Sequence, residues 1–391
     1  MNETSTAIGA ERALVIIEQR GSAGLITLNR PKALNALTLD MVRTLTQTLR
    51  AWQDDDSVQL VAIRGTNKAG RPNTTESLFG HFCAGGDIRF FHDAALTGNS
   101  ELDDFYTEEY ALNFLIQNFP KPYLAFLDGV VMGGGMGLCQ GAPATEAQPG
   151  GKVRIVTERT KMAMPETNIG LFPDVGGGYF LNRCPGHVGT YMGLTGHAAS
   201  GPEAIAFGLA DVQVRSSELP ALWSELSQHS WSSTSEVYRW LAKRMASATP
   251  KEVSLDTQTL MAYIETYFSL PRIKHIVDAL EKAGEPWAKK TAKELRKRSP
   301  LMLHVTLEQL TRSKAMGLAD VLRMERGMVH QCFHLRPGAA SETVEGIRAL
   351  VVDKDYAPQW NPPHIDQVKP PMINAFFEPP WEPSAHPLRD L

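Results

Sequence analysis

The sequence predicts an α/β core followed by a helical C-terminal region. Short strand-like runs alternate with helical segments up to about residue 215, which is the pattern of an α/β fold. From about residue 230 to residue 350 the apolar spacing is almost wholly helical. The length of 391 residues exceeds one typical domain. We therefore expect a core at 1–229, a helical region at 230–356 and a Pro-rich tail at 357–391 that either wraps the surface or is disordered.

Individual elements follow from local composition and periodicity. Short apolar runs predict six strands, at residues 14–18, 24–28, 60–63, 122–127, 153–156 and 161–164. Apolar residues at helical spacing predict helices at residues 38–52, 101–119 and 136–140, and a further helical segment that ends at Phe180. Thr38 opens the first of these helices, with Asp40 in its first turn. The polar, Gly-containing stretches 66–80 and 141–152 are expected to be loops.

Charge and cysteine content exclude several functional classes. The net charge of -4 and the pI of about 6.3 give no electrostatic footprint for nucleic-acid binding. Cys83, Cys139, Cys184 and Cys332 are too widely spaced for a paired metal-ligand motif, and a disulfide framework is implausible in a chain this long. We expect buried or inert thiols in a reducing compartment, with neither a metal nor a separate cofactor.

Hydropathy predicts no membrane segment and no secretory signal. No apolar run reaches the roughly 20 residues that span a bilayer. Residues 1–12 lack a cationic start and an apolar core, and they are not Arg-rich like a mitochondrial presequence. We expect a cytoplasmic protein of bacterial type, or a mitochondrial matrix protein in its mature form if the source is eukaryotic. The basic run at 289–298 is interpreted as a solvated helix face rather than a phosphate site.

Two glycine-rich turns are candidates for binding an anion. One is FCAGGDI at 82–88, and the other is DGVVMGGG at 128–135. Glycines allow sharp turns that leave amides unpaired, and a helix N-terminus adds partial positive charge. The alternatives are an ordinary strand-to-helix turn at the first and a close helix–strand contact at the second. A dinucleotide fingerprint is excluded, because the spacing is not G-x-G-x-x-G. Two such turns suggest two amides that polarise one carbonyl oxygen, each worth roughly 3 kcal/mol.

Two carboxylates stand in a segment that is otherwise apolar or Gly-rich. Glu166 and Asp174 lie within MPETNIGLFPDVGGG at 164–178. A charge in apolar surroundings is costly unless it is paired or functional. A raised pKa would suit Glu166 to general acid–base chemistry. The alternative is that either residue caps a local turn, with Asp174 as an N-cap before three glycines.

These three segments together resemble the crotonase (enoyl-CoA hydratase/isomerase) superfamily. Their amino-acid sequences are similar to those of its 3-hydroxyisobutyryl-CoA hydrolase branch. The matching segments run in order along the chain: LNRP at 28–31, NAL at 35–37, FCAGGDIR at 82–89, EEYALN at 108–113, KPYLAFLDGVVMGGGMGL at 121–138, MPETNIGLFPDVGGGYFL at 164–181, LTG at 194–196 and ALVVDKDYAPQW at 349–360. The resemblance implies an α/β, crotonase-like spiral of β-β-α repeats with a helical C-terminal region. The loops 66–80 and 141–152 look longer than is usual for the branch, which leaves the acyl group open.

The resemblance also implies roles for particular residues. The oxyanion-hole amides would belong to Ala84 and Gly134. Glu166 aligns with the catalytic glutamate, and Asp174 with the aspartate typical of the hydrolase branch. Glu109 matches a substrate-contacting glutamate, with a charge on a helix surface as the alternative. The implied contacts with substrate or coenzyme A (CoA) are Arg30, Lys32, Ala33, Gly85, Gly86, Asp87, Ile88 and Gly133.

The activity implied by the resemblance is hydrolysis of an acyl-CoA thioester, with 3-hydroxyisobutyryl-CoA of valine catabolism as the substrate. Hydratases of the superfamily carry a second glutamate where this chain has Gly137, which disfavours alkene hydration. The alternatives are an enoyl-CoA hydratase/isomerase acting on another acyl-CoA, and a non-catalytic paralogue in a ribosome-like assembly. Retention of Glu166 and Asp174 disfavours the paralogue. We expect an acyl-CoA substrate, no nucleic-acid or membrane partner, and leave a homo-oligomer open.

Overall fold

A six-stranded sheet lies at the centre of the fold. The structure is a computed structural model that describes residues 13–67, 79–145, 147, 150–248 and 253–391. Its strands are β1 (Val15–Arg20), β2 (Ala23–Leu28), β3 (Leu60–Gly65), β4 (Tyr123–Leu127), β5 (Val130–Met132), β6 (Lys152–Val156), β7 (Lys161–Ala163) and β8 (Val212–Gln213). The order in the sheet is β1-β2-β3-β4-β6-β8. β1 is antiparallel to β2, all other neighbours are parallel, and β5 and β7 form a separate parallel pair.

Helices pack against this sheet and make up most of the second half of the chain. In chain order they are α1 (Leu39–Gln53), α2 (Ile88–Thr97), α3 (Glu101–Gln117), α4 (Gly134–Gly137), α5 (Gly177–Leu181), α6 (Val188–Thr195), α7 (Gly201–Ala206), α8 (Leu219–Gln228), α9 (Thr234–Ala248), α10 (Leu255–Phe268), α11 (Ile273–Lys282), α12 (Pro286–Leu295), α13 (Pro300–Ser313), α14 (Leu318–His334), α15 (Glu342–Ile347) and α16 (Pro370–Asn374).

The local sequence explains the main elements. β2 and β3 are buried along their whole length, as expected for continuous apolar strands inside a mostly parallel sheet. Thr38 caps α1 by accepting a hydrogen bond from Met41 N at 3.3 Å. The six predicted strands and the predicted helices are confirmed to within a few residues at their ends. The short elements β5, β8, α6 and α7 have no counterpart in the prediction, because so few residues give no clear period.

The tail from residue 357 packs against the helices. Ile365, Phe376 and Leu388 are buried in the main apolar core, and Arg323 of α14 donates to Leu388 O at 3.1 Å. Of the two alternatives for the tail, the structure therefore supports wrapping. The division at 229 and 356 stays a prediction.

Several smaller expectations can be compared with the described residues. All four cysteines are free and buried. The lysines of α12 are exposed opposite its buried side chains, which confirms the solvated face for that part of the run. Arg298 at the end of the run departs from it, because this side chain is largely buried and donates to Thr195 O at 2.7 Å. In the described part of the chain, no helix combines the length and apolarity needed to cross a membrane. The expectations for residues 1–12, for 68–78 of the first predicted loop, for 146 and 148–149 of the second, and for 249–252 of the helical region lie outside the described residues.

Candidate active site

The two glycine-rich turns lie side by side. Cys83 N donates to Val130 O at 3.1 Å, and Met132 N donates to Cys83 O at 3.0 Å, so the first turn is attached to β5. A β-carbon placed on Gly134 would lie 3.4 Å from Gly86 N. The convergence of the two turns predicted from the sequence is therefore present.

Ala84 does not offer a free amide. Its N–H donates to Leu34 O at 3.1 Å, in a segment at 30–37 that is hydrogen-bonded to the first turn. In contrast, the Gly86 N–H donates to no backbone acceptor in the described part of the chain. Gly86 and Gly134 together line a cavity between the two turns. The prediction for Ala84 is wrong, because an amide already bonded within the protein cannot polarise a ligand. The sequence motif alone did not reveal which amide is free, since that depends on the pairing with Leu34.

A small cavity of about 120 Å³ opens between the two turns. Its walls come from the first turn, the N-terminus of α4, one face of α3 and the segment after β7. The lining residues are Ala84, Gly85, Gly86, Ile88, Phe91, Tyr106, Glu109, Gly133, Gly134, Pro165, Glu166, Asn168, Ile169, Leu171, Asp174 and Leu350. Two larger hollows, of about 1110 and 780 Å³, contain none of the predicted site residues. The chemistry expected from the sequence is therefore concentrated in the small cavity.

Glu166 enters the cavity from a single 3₁₀ turn (Glu166–Ile169) that follows β7. Thr167 fixes this turn by donating to Leu194 O at 3.1 Å. A β-carbon on Gly133 would lie only 2.8 Å from Glu166 Oε1, so glycine leaves the space that the carboxyl group occupies. Glu166 Oε2 is buried without a hydrogen-bond partner among the described residues. Such an orphaned acceptor is costly, and a bound substrate or water would satisfy it.

Glu109 lies on the face of α3 that points into the cavity, together with Tyr106. Its Oε1 would contact a β-carbon on Gly134 at 2.4 Å, and this oxygen has no hydrogen-bond partner among the described residues. The side chain is only 2% exposed, so the alternative of a charge on a helix surface is wrong.

Asp174 reaches the cavity from the loop before α5. Its Oδ2 accepts a hydrogen bond from Tyr110 OH at 2.9 Å. The side chain of Asp174 does not cap α5, whose N-cap is Gly176 and whose first amides are bound by Glu325. The N-cap alternative for Asp174 is therefore wrong. The sequence analysis missed the contacts of Tyr110 with Asp174 and of Glu325 with the loop of Asp174, because each contact joins segments that are far apart in the chain.

Burial perturbs the pKa values of all three carboxyl groups. Burial, and next the charge of Asp174, raise the pKa of Glu109 and the pKa of Glu166 well above their usual value. Burial raises the pKa of Asp174 to about 6, opposed by the hydrogen bond from Tyr110. Three carboxyl groups with raised pKa values in one small cavity are typical of a site for proton transfer.

Four of the predicted CoA contacts do not line the cavity. Arg30 forms an ion pair with Asp87 at 2.7 Å, and Asp87 also accepts from Arg89 N at the start of α2. In the segment at 30–37, Lys32 is exposed and Ala33 is partly exposed. Gly85, Gly86, Ile88 and Gly133 do line the cavity. Contact of any of these residues with CoA stays a prediction.

Gly137 lies where the structure has no room for a side chain. A β-carbon there would lie 2.6 Å from Asn113 Nδ2 and 2.8 Å from Val175 Cβ. The space that a second catalytic glutamate would need is therefore filled by Asn113 and the loop of Asp174.

In the described ranges, one group of side chains has the spacing of metal ligands, namely Asp103, His330 and His334. None of the three lines the cavity. Arg326 donates to Asp103 Oδ1 at 2.6 Å, so a full positive charge already balances this carboxylate. The residues that line the cavity include no histidine or cysteine, which are the side chains that transition metals prefer beside carboxylates.

Comparison with known proteins places this geometry in a family. A family model described as enoyl-CoA hydratase/isomerase matches residues 23–377. The mitochondrial 3-hydroxyisobutyryl-CoA hydrolase of Gallus gallus is 36% identical over 366 residues, which cover 93% of this chain and 89% of the relative. The protein of the same name from Rattus norvegicus is 37% identical over 369 residues, covering 94% of this chain and 89% of the relative.

Solved structures agree with the fold. A carnitinyl-CoA dehydratase from Mycobacterium thermoresistibile matches with a TM-score of 0.77 and 33% identity, over 94% of this chain and 96% of that one. An enoyl-CoA hydratase from Rhodobacter sphaeroides 2.4.1 matches with a TM-score of 0.79 and 33% identity, over 94% and 98%. The α/β architecture, the paired glycine turns and these matches together show that the chain belongs to the enoyl-CoA hydratase/isomerase family, the crotonase superfamily.

Proposed function

We propose that this protein hydrolyses an acyl-CoA thioester, with 3-hydroxyisobutyryl-CoA as the substrate. The observation that carries the proposal is the cavity in which Glu109, Glu166 and Asp174 surround two adjacent backbone amides. Curated relatives that match 93–94% of the chain are named 3-hydroxyisobutyryl-CoA hydrolases, which supports the same reaction here.

The amides of Gly86 and Gly134 would bind the thioester oxygen. They are adjacent, and both residues line the cavity. Preorganised amides stabilise the negative charge that develops on this oxygen when a nucleophile adds to the carbonyl carbon. Gly86 thereby takes the role that the sequence assigned to Ala84.

Glu166 would supply the base or the nucleophile. In one route its carboxylate takes a proton from water while the water oxygen bonds to the carbonyl carbon. In the other route Glu166 itself attacks and forms an anhydride, which water then hydrolyses. In both routes the C–S bond breaks and CoA leaves as a thiolate, whose ordinary thiol pKa of about 8.5 makes it a good leaving group. Asp174 orients the water or delivers the proton that the thiolate receives.

Trapping distinguishes the two routes. Hydroxylamine added during turnover attacks an anhydride and leaves a hydroxamate on Glu166, which mass spectrometry of the peptide detects. Hydroxylamine that attacks the other carbonyl of the anhydride releases an acyl hydroxamate and free Glu166. An unmodified peptide, with acyl hydroxamate formed no faster than from the thioester alone, would therefore support the water route.

The size and polarity of the cavity favour a short acyl group that carries a hydroxyl. At about 120 Å³ the cavity is well below the roughly 300–1,000 Å³ of a pocket for a drug-sized ligand, so it suits a short acyl group. The unpartnered Glu109 Oε1 is positioned to accept a hydrogen bond from such a hydroxyl. A site built to bind a hydroxyl group discriminates strongly against the analogue that lacks it.

The substrate is tested by thiol release. Purified protein is incubated with 3-hydroxyisobutyryl-CoA, isobutyryl-CoA, crotonyl-CoA and a long-chain acyl-CoA in the presence of a thiol reagent. We expect kcat/KM for the 3-hydroxy ester to exceed that for isobutyryl-CoA by at least about 100-fold, because only the former satisfies Glu109. Absence of thiol release together with hydration of crotonyl-CoA would instead indicate a hydratase. Co-sedimentation with ribosomal particles without turnover would indicate the non-catalytic alternative.

A pH profile tests the environment of Asp174. Tyr110→Phe removes the hydrogen bond that favours the ionised carboxylate, so the pKa of Asp174, raised by burial to about 6, should rise further. If turnover requires ionised Asp174, the acid limb of the kcat–pH profile should move to higher pH by about one unit, which corresponds to 1.4 kcal/mol. Tyr179→Phe, which changes a tyrosine outside the cavity lining, is the matched control. An unchanged acid limb in Tyr110→Phe would remove Asp174 from the titration.

Compartment and self-association are separate proposals. The two curated relatives are named as mitochondrial proteins. For this chain we propose the mitochondrial matrix if the source is eukaryotic and the cytoplasm if it is bacterial. Size-exclusion chromatography with light scattering tests for a homo-oligomer.

A further inference from the structure

A further buried carboxylate, outside the cavity, binds the loop that carries Asp174. Glu325 of α14 has no exposed surface and accepts hydrogen bonds from Gly176 N at 2.7 Å and from Gly178 N at 2.8 Å. Glu325 therefore binds the amides at the start of α5, just after Asp174.

Gln309 of α13 binds the same loop at the residue before Asp174. Its Nε2 donates to Pro173 O at 2.6 Å and to Glu325 Oε1 at 2.9 Å. The carbonyl group before Asp174 and the amide groups after it are thus held by two side chains that bond to each other. We call Glu325 and Gln309 the loop clamp.

Between these attachment points the backbone is strained. Val175 has a φ of 54°, in the left-handed region that β-branched residues rarely adopt. Such a conformation persists only where surrounding contacts impose it. If the clamp were released, Val175 would relax toward negative φ and draw Asp174 away from Tyr110.

Glu325 does not touch the cavity and so has no direct chemical role. It is absent from the cavity lining, and its hydrogen bonds go to the loop and to Gln309. Burial raises the pKa of Glu325 to about 8, while the bonds from Gly178 and Gly176 oppose this shift. Burial of a carboxyl group costs free energy. Because Glu325 lies away from the cavity, we attribute its burial to its hydrogen bonds with the strained loop.

We propose that Glu325 is a positioning residue that acts through Asp174, by holding the strained 173–178 loop so that the Asp174 carboxylate faces the substrate. The proposal rests on the proposed thioester hydrolysis and on a role for Asp174 in it. Gln309 is the second member of the clamp and contributes less, because it makes one hydrogen bond to the loop where Glu325 makes two.

A double-mutant cycle tests this dependence. Glu325→Gln keeps the size of the side chain but places an amide N–H group against backbone N–H donors. We expect kcat for thiol release to fall about 30-fold with KM changed less than about 3-fold, since a small misplacement of a reacting group costs rate rather than binding. In the Asp174→Asn background the same change should lower kcat less than about 2-fold, because residues that act through each other are not additive.

The contrary results are equally specific. A similar loss of kcat from Glu325→Gln in both backgrounds, or near-normal turnover of the single variant, would overturn the proposal. Gln309→Met removes the bonds to Pro173 and Glu325 without a change in charge, and we expect a loss of about 5-fold that again vanishes in the Asp174→Asn background. This second variant decides the question if Glu325→Gln does not fold.

Glu203→Gln is the control, because Glu203 is a partly buried carboxylate outside the cavity lining that accepts from Ser200 N at 2.7 Å at the start of α7. We expect it to leave kcat unchanged. Failure of the proposed function would look different, as absence of thiol release by the unsubstituted chain. Hydrogen exchange of the Gly176 and Gly178 amides would still test the clamp in that case: exchange that is no faster in Glu325→Gln would overturn it.

Discussion

Replacing Glu166 by glutamine should lower kcat for thioester cleavage by about 10³-fold, or about 4 kcal/mol of transition-state stabilisation. The carboxyl group lies against Gly133 with one oxygen unpartnered in the cavity, so it is placed to attack the substrate or to activate water. The amide keeps the shape of the side chain but can neither accept a proton nor form an anhydride. Steady-state thiol release across a range of substrate concentrations measures the loss.

Binding should survive this change. Free CoA carries no acyl group, so its affinity should not depend on a carboxyl group placed beside the acyl carbonyl. The Kd for CoA, measured by calorimetry, is therefore expected to stay within about 3-fold. Glu158→Gln is a suitable control, since Glu158 lies outside the cavity lining and binds Ser216. If Glu166→Gln turned over at a near-normal rate, Glu166 would have no place in the mechanism.

Replacing Asp174 by asparagine should lower kcat about 100-fold and at the same time stabilise the fold above pH 6. Burial raises the pKa of Asp174 to about 6, above its usual 3.8. A group whose pKa is raised by folding binds its proton more tightly in the folded state, so its stabilising contribution is lost as pH rises through about 6. Asparagine remains neutral and keeps an acceptor for Tyr110 OH, which avoids this loss.

Thermal unfolding at two pH values measures the second effect. We expect the Tm of Asp174→Asn to exceed that of the unsubstituted protein at pH 8, and the difference to shrink at pH 5. A Tm that falls equally at both pH values would mean that Asp174 has a structural role instead. That outcome would also remove the basis of the clamp proposed for Glu325.

The sequence predicted much of the fold because the signals were local. The strands around residues 24–28 and 122–127 were visible as apolar runs, and both form buried strands of the central sheet. The residues of the site were marked by unusual composition: carboxylates among apolar residues at Glu166 and Asp174, and glycines in the two turns. Such irregularities are visible without a structure, because apolar or glycine-rich surroundings make an isolated charge costly.

Other features depended on contacts between distant segments. The Ala84 amide is bonded because folding brings Leu34 O next to it, whereas no described backbone acceptor meets the Gly86 amide. Whether Glu109 is a surface charge or a cavity residue depends on which face of α3 is covered, and α3 has no sharply one-sided apolar pattern.

The sequence by itself determined the α/β class, the two glycine turns and the acidic residues available for chemistry, since composition and spacing along the chain encode them. The tertiary structure alone decided which amide is free, which side chain holds the loop of Asp174 and how far burial raises the carboxyl pKa values. Each of these depends on groups far apart in the chain, such as Glu325 and Gly176, that meet only after folding. Hydrogen bonding and desolvation act through space, so no local pattern records them.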